Sequence, residues 1–465
     1  MKRIGTLTQG FLTLLLAAAM VGAGKWYSSE PPIYTEELPA FVASPQPLPA
    51  PVDSYLAGII MADPEAWSAP TSEEEDPDRP PLSRFLAALQ NLEMQPDKSR
   101  VRIAYFGDSM IEGDRITQSL RNDLQQTYGG RGVGFVPVIY ANYGDRRTIW
   151  HRFSSDWEDM NFMKPTRPKY GLGISGEYFL TSQPKTAGRT WVRYKGSDEY
   201  NSTEVFDHVR LFYGRQGDGS QNQDNYFVAV RTDAGKDTFY LRGKSLVNER
   251  LISTQPTEEV KLNFRIPEDM PVFGLSFESS SGIFVDNFSA RGHSGMNLIE
   301  IPGDNLSEFS ALLDYDLIVL QFGLNVVSTR RKNFSSYEKG MKRVVEHFQK
   351  HAPQADILIV SVSDKSTRIK GSLQTDPSVP LIVKAQERVA RQTRSGFLNL
   401  YQRMGGRNSM IQWVKSNPSL ARNDYAHPNR RGAVKVGNIV KRFIMEEYAA
   451  YQGKTLIPDG SMAKR

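Results

Sequence analysis

The sequence predicts an α/β fold whose parallel sheet is interrupted by a separate all-β sandwich. Three observations lead to that expectation. The apolar run from Val101 to Phe106 is followed by a helical period through Ile116, Leu120 and Leu124. The same strand-then-helix rhythm returns after Asn287, and strands alternating with helices argue for a parallel sheet. Between Tyr143 and Asp286 the rhythm changes to short runs of β-formers separated by turn residues, the pattern of a sandwich.

The chain opens with Lys2 and Arg3 ahead of an apolar stretch from Phe11 to Val21. A positive segment before an apolar one of this length is the pattern of a signal peptide, with Val21-Gly22-Ala23 as a small-residue cleavage site. The stretch falls short of the ~20 residues of a spanning helix, and an uncleaved N-terminal anchor is the alternative. Residues 28–81 are rich in proline, glutamate and serine and include the run Glu73-Glu74-Glu75-Asp76. Such a segment buries too little apolar surface to offset its ordering entropy and reads as a disordered linker.

From Leu82 the pattern turns globular. Ser83 is placed to cap a short helix through Leu92. Val101 to Phe106 reads as a buried strand and Ile116 to Gln126 as an amphipathic helix. The glycine cluster from Gly129 to Gly134 ends that helix. It follows a helix instead of opening one and lacks the Gly-Lys-Ser/Thr ending, so it is not a phosphate loop. In the middle, strands are expected at Thr190–Tyr194, Val205–Tyr213, Tyr226–Arg231, Thr238–Leu241, Val260–Ile266, Val272–Phe277 and Gly282–Asn287. Turns fall at Gly217-Asp218-Gly219, Asp233-Ala234-Gly235 and Ser280-Ser281-Gly282.

Beyond Asn287, strands at Asp316–Gln321, Asp356–Val362 and Phe397–Leu400 alternate with helices at Ser336–His351, Val379–Arg394 and Arg430–Ala449. Met341, Val344, Val345 and Phe348 form the inner face of the first of these helices. The resulting division is 1–27 signal peptide or anchor, 28–81 linker, 82–142 first α/β part, 143–286 β domain, 287–450 second α/β part and 451–465 tail. The β domain, at ~140 residues, has the size of an independent domain.

Composition narrows the function. The 465 residues carry a net charge of +5 with lysines and arginines spread along the chain, which argues against nucleic-acid binding. There is no cysteine, which excludes thiol catalysis, disulfides and cysteine-held metals.

The chemistry-bearing residues lie at strand ends. Ser109, in Gly107-Asp108-Ser109, follows the first buried strand. A serine hydroxyl is a weak nucleophile that needs a base, and the base needs an orienting acid. Of the six histidines, His347 and His351 sit four apart on a helix, where a metal spacing is possible but a solvent-facing pair is expected. His208 falls in a sandwich strand and His151 in a polar connection. His427 follows Asp424 by three residues just before the last helix, so Asp424 can hold one ring nitrogen while the other faces outward. The plain alternative is a turn-capping aspartate beside a surface histidine. An oxyanion needs donors. The Ser109 N–H, a glycine N–H in Gly292-His293-Ser294-Gly295, and Asn325 in Gly323-Leu324-Asn325 are candidates, with a tight turn and a helix cap as alternatives for the last two.

Taken in order, Gly107-Asp108-Ser109, Gly292-x-x-Gly295, Gly323-x-Asn325 and Asp424-x-x-His427 resemble the four blocks of the SGNH (GDSL-type) hydrolases. The resemblance covers Arg100–Tyr140 and Asn287–Tyr448 and implies a three-layer α/β/α fold with a parallel central sheet. It implies Ser109 as nucleophile, His427 as base, Asp424 as its orienter, and an oxyanion hole from Ser109, Gly295 and Asn325. Gly292 is the alternative match to Gly295. The family usually continues Gly-x-Asn with Asp, whereas this chain has Val326. No metal and no organic cofactor are implied.

The longer stretch Gly107–Asp114 with Gly132-Val133-Gly134-Phe135-Val136-Pro137 resembles exported bacterial members that carry a carbohydrate-binding-like β-sandwich between the first two blocks. Peptidoglycan O-acetylesterases share this layout. The expectation is therefore an exported, periplasmic or envelope-associated serine esterase acting on an acetylated polysaccharide, with peptidoglycan leading. An O-acetyltransferase using the same residues and a non-catalytic glycan-binding protein are the alternatives. The insert aromatics Trp150, Trp157, Tyr178, Trp191, Tyr194, Tyr213, Tyr226 and Tyr240 can stack on sugars or fill the sandwich core. Arg210, Arg215 and Arg231 can meet an acidic polymer or lie on solvated strand faces. Oligomeric state is not legible.

Overall fold

The strands of the α/β part lie side by side in one sheet, and those of the β-rich part form two larger antiparallel sheets. The computed structural model describes residues 79–140, 145–164, 168–181, 190–216, 226–457 and 462–464. The expected signal or anchor, nearly all of the linker and the turn Gly217-Asp218-Gly219 lie outside the described residues. The chain runs α1 (Ser83–Met94), β1 (Arg100–Gly107), α2 (Thr117–Tyr128), β2 (Gly134–Pro137), β3 (Ile149–Phe153), β4 (Trp157–Asn161), β5 (Glu177–Thr181) and β6 (Trp191–Gly196). Then follow β7 (His208–Gly214), β8 (Phe227–Thr232), β9 (Gly235–Tyr240), β10 (Val247–Ser253), β11 (Glu259–Arg265), β12 (Val272–Glu278) and β13 (Gly282–Ser289). The last stretch is α3 (Gly303–Leu313), β14 (Leu317–Gln321), α4 (Ser335–His351), β15 (Asp356–Val360), the hairpin β16 (Ser366–Ile369) and β17 (Ser372–Thr375), α5 (Val379–Gln392), β18 (Gly396–Leu398), the short α6 (Leu400–Arg403) and α7 (Ser409–Lys415), and α8 (Arg430–Tyr451).

The five-stranded sheet has the order β13-β1-β14-β15-β18, and every pairing in it is parallel. Every residue of β14 and β15 is buried, as is all of β1 but Arg100. Such strands need cover on both faces. Helices α1, α2 and α8 pack on one another as one layer, and α3, α4 and α5 as the other. Met341, Val344, Val345 and Phe348 form the buried face of α4, as their spacing predicts. The chain leaves β1 to β13 on one side and continues to β14 on the other. That reversal opens a crevice at the carboxyl end of β1, where α/β sheets bind ligands.

Of the two larger antiparallel sheets, one has the order β10-β7-β12-β5-β4 with β2 also on β12, and the other β3-β6-β11-β8-β9. Val192, Tyr194, Val209, Leu211, Val260 and Leu262 belong to the core between them. On its other face the first sheet sends Phe135, Phe212 and Phe273 into the main core against Phe288 and Phe309. Each such phenylalanine contributes about 1.5–3 kcal/mol by burial. An ion network adds to this seam. Arg102, Glu278 and Asp286 are all buried, and Arg102 pairs with both acids, reaching Asp286 Oδ2 at 2.8 Å. Arg210 Nη1 lies 2.8 Å from Glu278, and the Tyr315 hydroxyl donates to Asp286 at 2.6 Å.

Several expectations need correction. The strand expected at Gly282–Asn287 inside the sandwich is β13, which runs parallel to β1 from Arg100↔Gly282 to Gly107↔Ser289. Its residues are buried on both faces, a mark of a parallel strand, and the turn before it carries the chain between sheets. Conversely, Gly134–Pro137 pairs with β12 in an antiparallel sheet. Ser83 is the first residue of α1 and makes no cap; Asp356 Oδ2 accepts from the Phe85 N–H at 3.0 Å instead. His151 lies buried in β3, donating Nε2–H to the Val138 carbonyl at 2.9 Å and stacking on Tyr194. His347 and His351 do not form a solvent-facing pair: they bond to the Ile301 carbonyl at 2.9 Å and to Ser307 Oγ at 3.1 Å. The segment leading into α3, and α3 itself, supply those partners, and no helix was expected there. Strands β4 and β10 escaped notice because charged residues such as Glu158, Asp159, Glu249 and Arg250 mask their alternation.

Candidate active site

Ser109 stands in the tight turn that leaves β1. Crowding favours Gly107 there, since a Cβ would press on the Ile111 side chain at 3.0 Å and the Gln321 carbonyl at 3.2 Å. Asp108 folds its carboxylate back on the turn, where Oδ1 accepts from the Met110 N–H at 3.0 Å. This leaves Ser109 half-buried and facing the loop before α8. Ser109 Oγ lies 2.9 Å from His427 Nε2, and His427 Nδ1 lies 2.8 Å from Asp424 Oδ2. The Asp424 Oδ1 atom accepts from the backbone N–H groups of Ala426 at 2.9 Å and His427 at 3.0 Å. Between them Tyr425 adopts a φ of 55°, which bends the chain back on Asp424. Burial works against the Asp424 charge, but the His427 and Ala426 N–H groups and the imidazole outweigh it and hold the carboxyl below its ordinary value.

With Nδ1–H donated to Asp424, the His427 Nε2 lone pair faces the serine hydroxyl. That arrangement can take a proton from Oγ and keep the resulting imidazolium beside a carboxylate.

The residues expected to hold an oxyanion lie on the adjoining strand ends. Gly295 has a φ of 90°, and a Cβ there would meet the Phe322 ring at 2.8 Å. Gly292 also has a positive φ, 78°, but open space around it. Position 295 is thus restricted by packing as well as by backbone angle, and position 292 by angle alone. The Gly295 N–H donates to His293 Nδ1 at 3.1 Å. The Asn325 amide donates to the His293 carbonyl at 2.9 Å and to Asp108 Oδ2 at 3.2 Å. His293 and Asp108 therefore hold the donors at Gly295 and Asn325.

The sequence reading gave neither of these two residues a role. His293 is buried between the rings of Phe162, at 4.6 Å, and Phe322, at 5.9 Å. Burial lowers its imidazole to about 4, so it is neutral and Nδ1 is free to accept. Phe162 belongs to the β4–β5 connection, so the β-rich part reaches the site through this ring. Burial raises the Asp108 carboxyl to about 7, against the Met110 N–H and the Asn325 amide. A third unassigned residue, Asp114, anchors the segment between the turn and α2. It accepts from Arg121 at 2.7 and 2.9 Å, from Thr148 at 2.6 Å and from Thr117. Burial opposes its charge too, but Arg121 and Arg146 outweigh it and bring the carboxyl down to about 2.

The β-rich aromatics divide as follows. Trp157, Tyr178, Tyr194 and Tyr213 are core residues, whereas Trp150 and Tyr240 are 61% and 56% exposed. Arg210 is committed to Glu249 and Glu278, and Arg215 donates to the Lys244 carbonyl. Arg231 lies exposed on β8.

No protein-family model matches the chain, and no curated protein does. Solved structures do match. A peptidoglycan O-acetylesterase structure superposes with a TM-score of 0.63 at 21% identity, covering 79% of this chain and 97% of that one. An acetyl xylan esterase matches with a TM-score of 0.27 at 16% identity over 35% of this chain and 81% of that one. A family two carbohydrate esterase from Cellvibrio japonicus matches with a TM-score of 0.27 at 9% identity over 64% and 99%. Only the first of these three likenesses is strong enough to carry weight, and at its identity it is one of fold. The chain shares that structure's fold: a parallel sheet flanked by helices, with an inserted β-rich part.

Proposed function

We propose that this chain is an exported serine esterase that removes O-acetyl groups from a cell-envelope or extracellular polysaccharide, with peptidoglycan as the leading substrate. The observation that carries the reading is the hydrogen-bonded series Ser109 Oγ, His427 Nε2, His427 Nδ1, Asp424 Oδ2, with both links below 3 Å. In this reading Ser109 Oγ attacks the acetyl carbonyl while His427 Nε2 takes its proton. The sugar oxygen leaves with that proton. Water, deprotonated by the same nitrogen, then hydrolyses the acetyl-serine. The Ser109 N–H, the Gly295 N–H and the Asn325 amide receive the oxyanion, the last two by exchanging His293 or Asp108 for it.

The likeness in fold to a peptidoglycan O-acetylesterase supports the substrate class. The Lys2-Arg3 and Phe11–Val21 pattern supports export, with 1–27 as signal or anchor and 28–81 as linker to an α/β domain split by the insert at 143–286. The test is fluorophosphonate labelling joined to acetate release from O-acetylated peptidoglycan. The label maps to Ser109, and Ser109→Ala lowers kcat by at least ~10³-fold with its circular dichroism unchanged. Retained acetate release in that variant would remove the mechanism.

A further inference from the structure

The sheet β3-β6-β11-β8-β9 has one face in the sandwich core and one in solvent, and the registers show what the solvent face presents. Arg152 pairs with Arg193, Arg193 with Lys261, Lys261 with Arg231, and Arg231 with Lys236. Five cations thus stand in one line across five strands. With strands ~4.8 Å apart the line is about 19 Å long. On the same face, Lys195 lies one row to one side of the line and Arg265 two rows to the other. Among the described residues of these strands Glu259 is the acid on the face, bonded to Arg193 at 2.7 Å and opposite Lys195, and Asp233 in the β8–β9 turn acts on Lys195. Among the described residues neither Arg231, Lys236 nor Lys261 forms an ion pair.

Like charges directly opposite one another destabilise a sheet, so such a line is a cost to folding. Against the seven cations of this face stand two acids, Glu259 and Asp233, so the face concentrates positive charge. Aromatic rings accompany them. Trp150 pairs with Lys195, the Trp191 ring lies under Lys261 at 5.2 Å, and Phe227 pairs with Tyr240 beside Arg265. Trp150 and Tyr240 are more than half exposed, at 61% and 56%.

From this we infer that the outer face of the β3-β6-β11-β8-β9 sheet binds a linear glycan strand bearing carboxylates. The carboxylates meet the cation line, and the sugar rings stack on the flanking aromatics. The length of the line suits a polymer and not a single sugar. The other antiparallel sheet lies between this face and the parallel sheet, since its own two faces belong to the two cores. The face therefore holds the polymer at a distance from Ser109 and raises its local concentration there. The proposal adds a polymer-holding surface to the proposed esterase and does not depend on the serine chemistry.

Binding is measured by isothermal titration with the full-length Ser109→Ala protein, and acetate release by the unsubstituted protein is measured separately. Polygalacturonate serves as carboxylate glycan, polyglutamate as a polyanion without rings, dextran as a neutral glycan, and duplex DNA and anionic vesicles as other anionic partners. Polygalacturonate binds best, weakens with salt, and loses at least ~10-fold in affinity in R231E/K261E. The same charge change on α4, K339E/R343E, leaves binding within about twofold. W150A/Y240A weakens polygalacturonate more than polyglutamate. Unchanged binding in R231E/K261E, or equal loss in K339E/R343E, overturns the site. Equal affinity for polyglutamate, or tighter binding of DNA or vesicles, overturns the glycan as its partner.

Discussion

Ser109, His427 and Asp424 form an open chain of hydrogen bonds in which the serine has one free side, whereas Gly295 and Asn325 donate into protein acceptors. The first group rests on two short segments, one turn after β1 and one turn before α8. The second is tied across three segments, through His293 and Asp108. A nucleophile can be poised before substrate arrives, because its base stays bonded while it waits. An oxyanion donor has no charge to bind in the resting protein, and a buried N–H left alone is costly. In the proposed reaction the acceptors that the resting fold supplies, His293 and Asp108, are what a developing oxyanion would replace.

The largest effects test the open chain. Asp424→Ala removes the acceptor that fixes the His427 tautomer and lowers kcat by roughly 10²–10⁴-fold, with KM little changed, in steady-state kinetics on an acetyl ester. Asp424 is 45% exposed, so water replaces part of its role and the lower end of that range is expected. Next comes the closed side. Asn325→Ala lowers kcat by about 10²–10³-fold if its amide turns from Asp108 to the oxyanion. A loss below about tenfold would show that the amide stays locked on Asp108 and His293, and the comparison between the two sides would then separate catalysis from structure.

What the sequence made legible follows the same division. Asp424 and His427 are three residues apart, and Ser109 directly follows the buried strand and its glycine, so local pattern suffices to nominate the three side chains that the fold brings together. Gly295 and Asn325 were nominated by their places after buried strands, and the family resemblance then singled them out. His293 and Asp108 were not, because a side chain bonding to a backbone N–H two residues on, or to an amide on another strand, leaves no periodic trace. Asp114 escaped for a related reason: its partners Arg121 and Thr148 lie 7 and 34 residues away. At the level of fold, periodicity separated the α/β and β-rich regions. It misplaced β13, because whether a buried strand pairs in parallel or antiparallel fashion depends on neighbours far along the chain.

Asp108 gives the closed side a pH signature. Its carboxyl is raised by burial from 3.8 to about 7, so between those values the folded chain keeps a proton that the unfolded chain has lost. Unfolding then releases a proton, and this carboxyl makes stability fall as pH rises from about 4 to 7, with no further change above. Asp108→Asn keeps an oxygen for the Met110 N–H and removes the titration. The difference in Tm between variant and parent therefore shifts in favour of Asp108→Asn across that interval, followed by calorimetry. A constant difference would mean that Asp108 titrates near its ordinary value and that its bond to Asn325 is charge-assisted throughout.

The smallest effect is the most informative about His293. His293→Phe keeps a ring between Phe162 and Phe322 but removes the Nδ1 acceptor. The Gly295 N–H then stands without its bond in the resting protein, at a cost of about 1 kcal/mol in stability, seen as a lower urea midpoint. If the oxyanion takes that N–H in the transition state, as proposed, the parent must break a bond that the variant never made. Breaking it costs about the same 1 kcal/mol, and kcat/KM on a small acetyl ester rises by up to about fivefold. If Nδ1 instead aims the N–H at the oxyanion, its removal loosens the loop and kcat falls. The sign of that change decides whether His293 competes for the Gly295 donor or positions it.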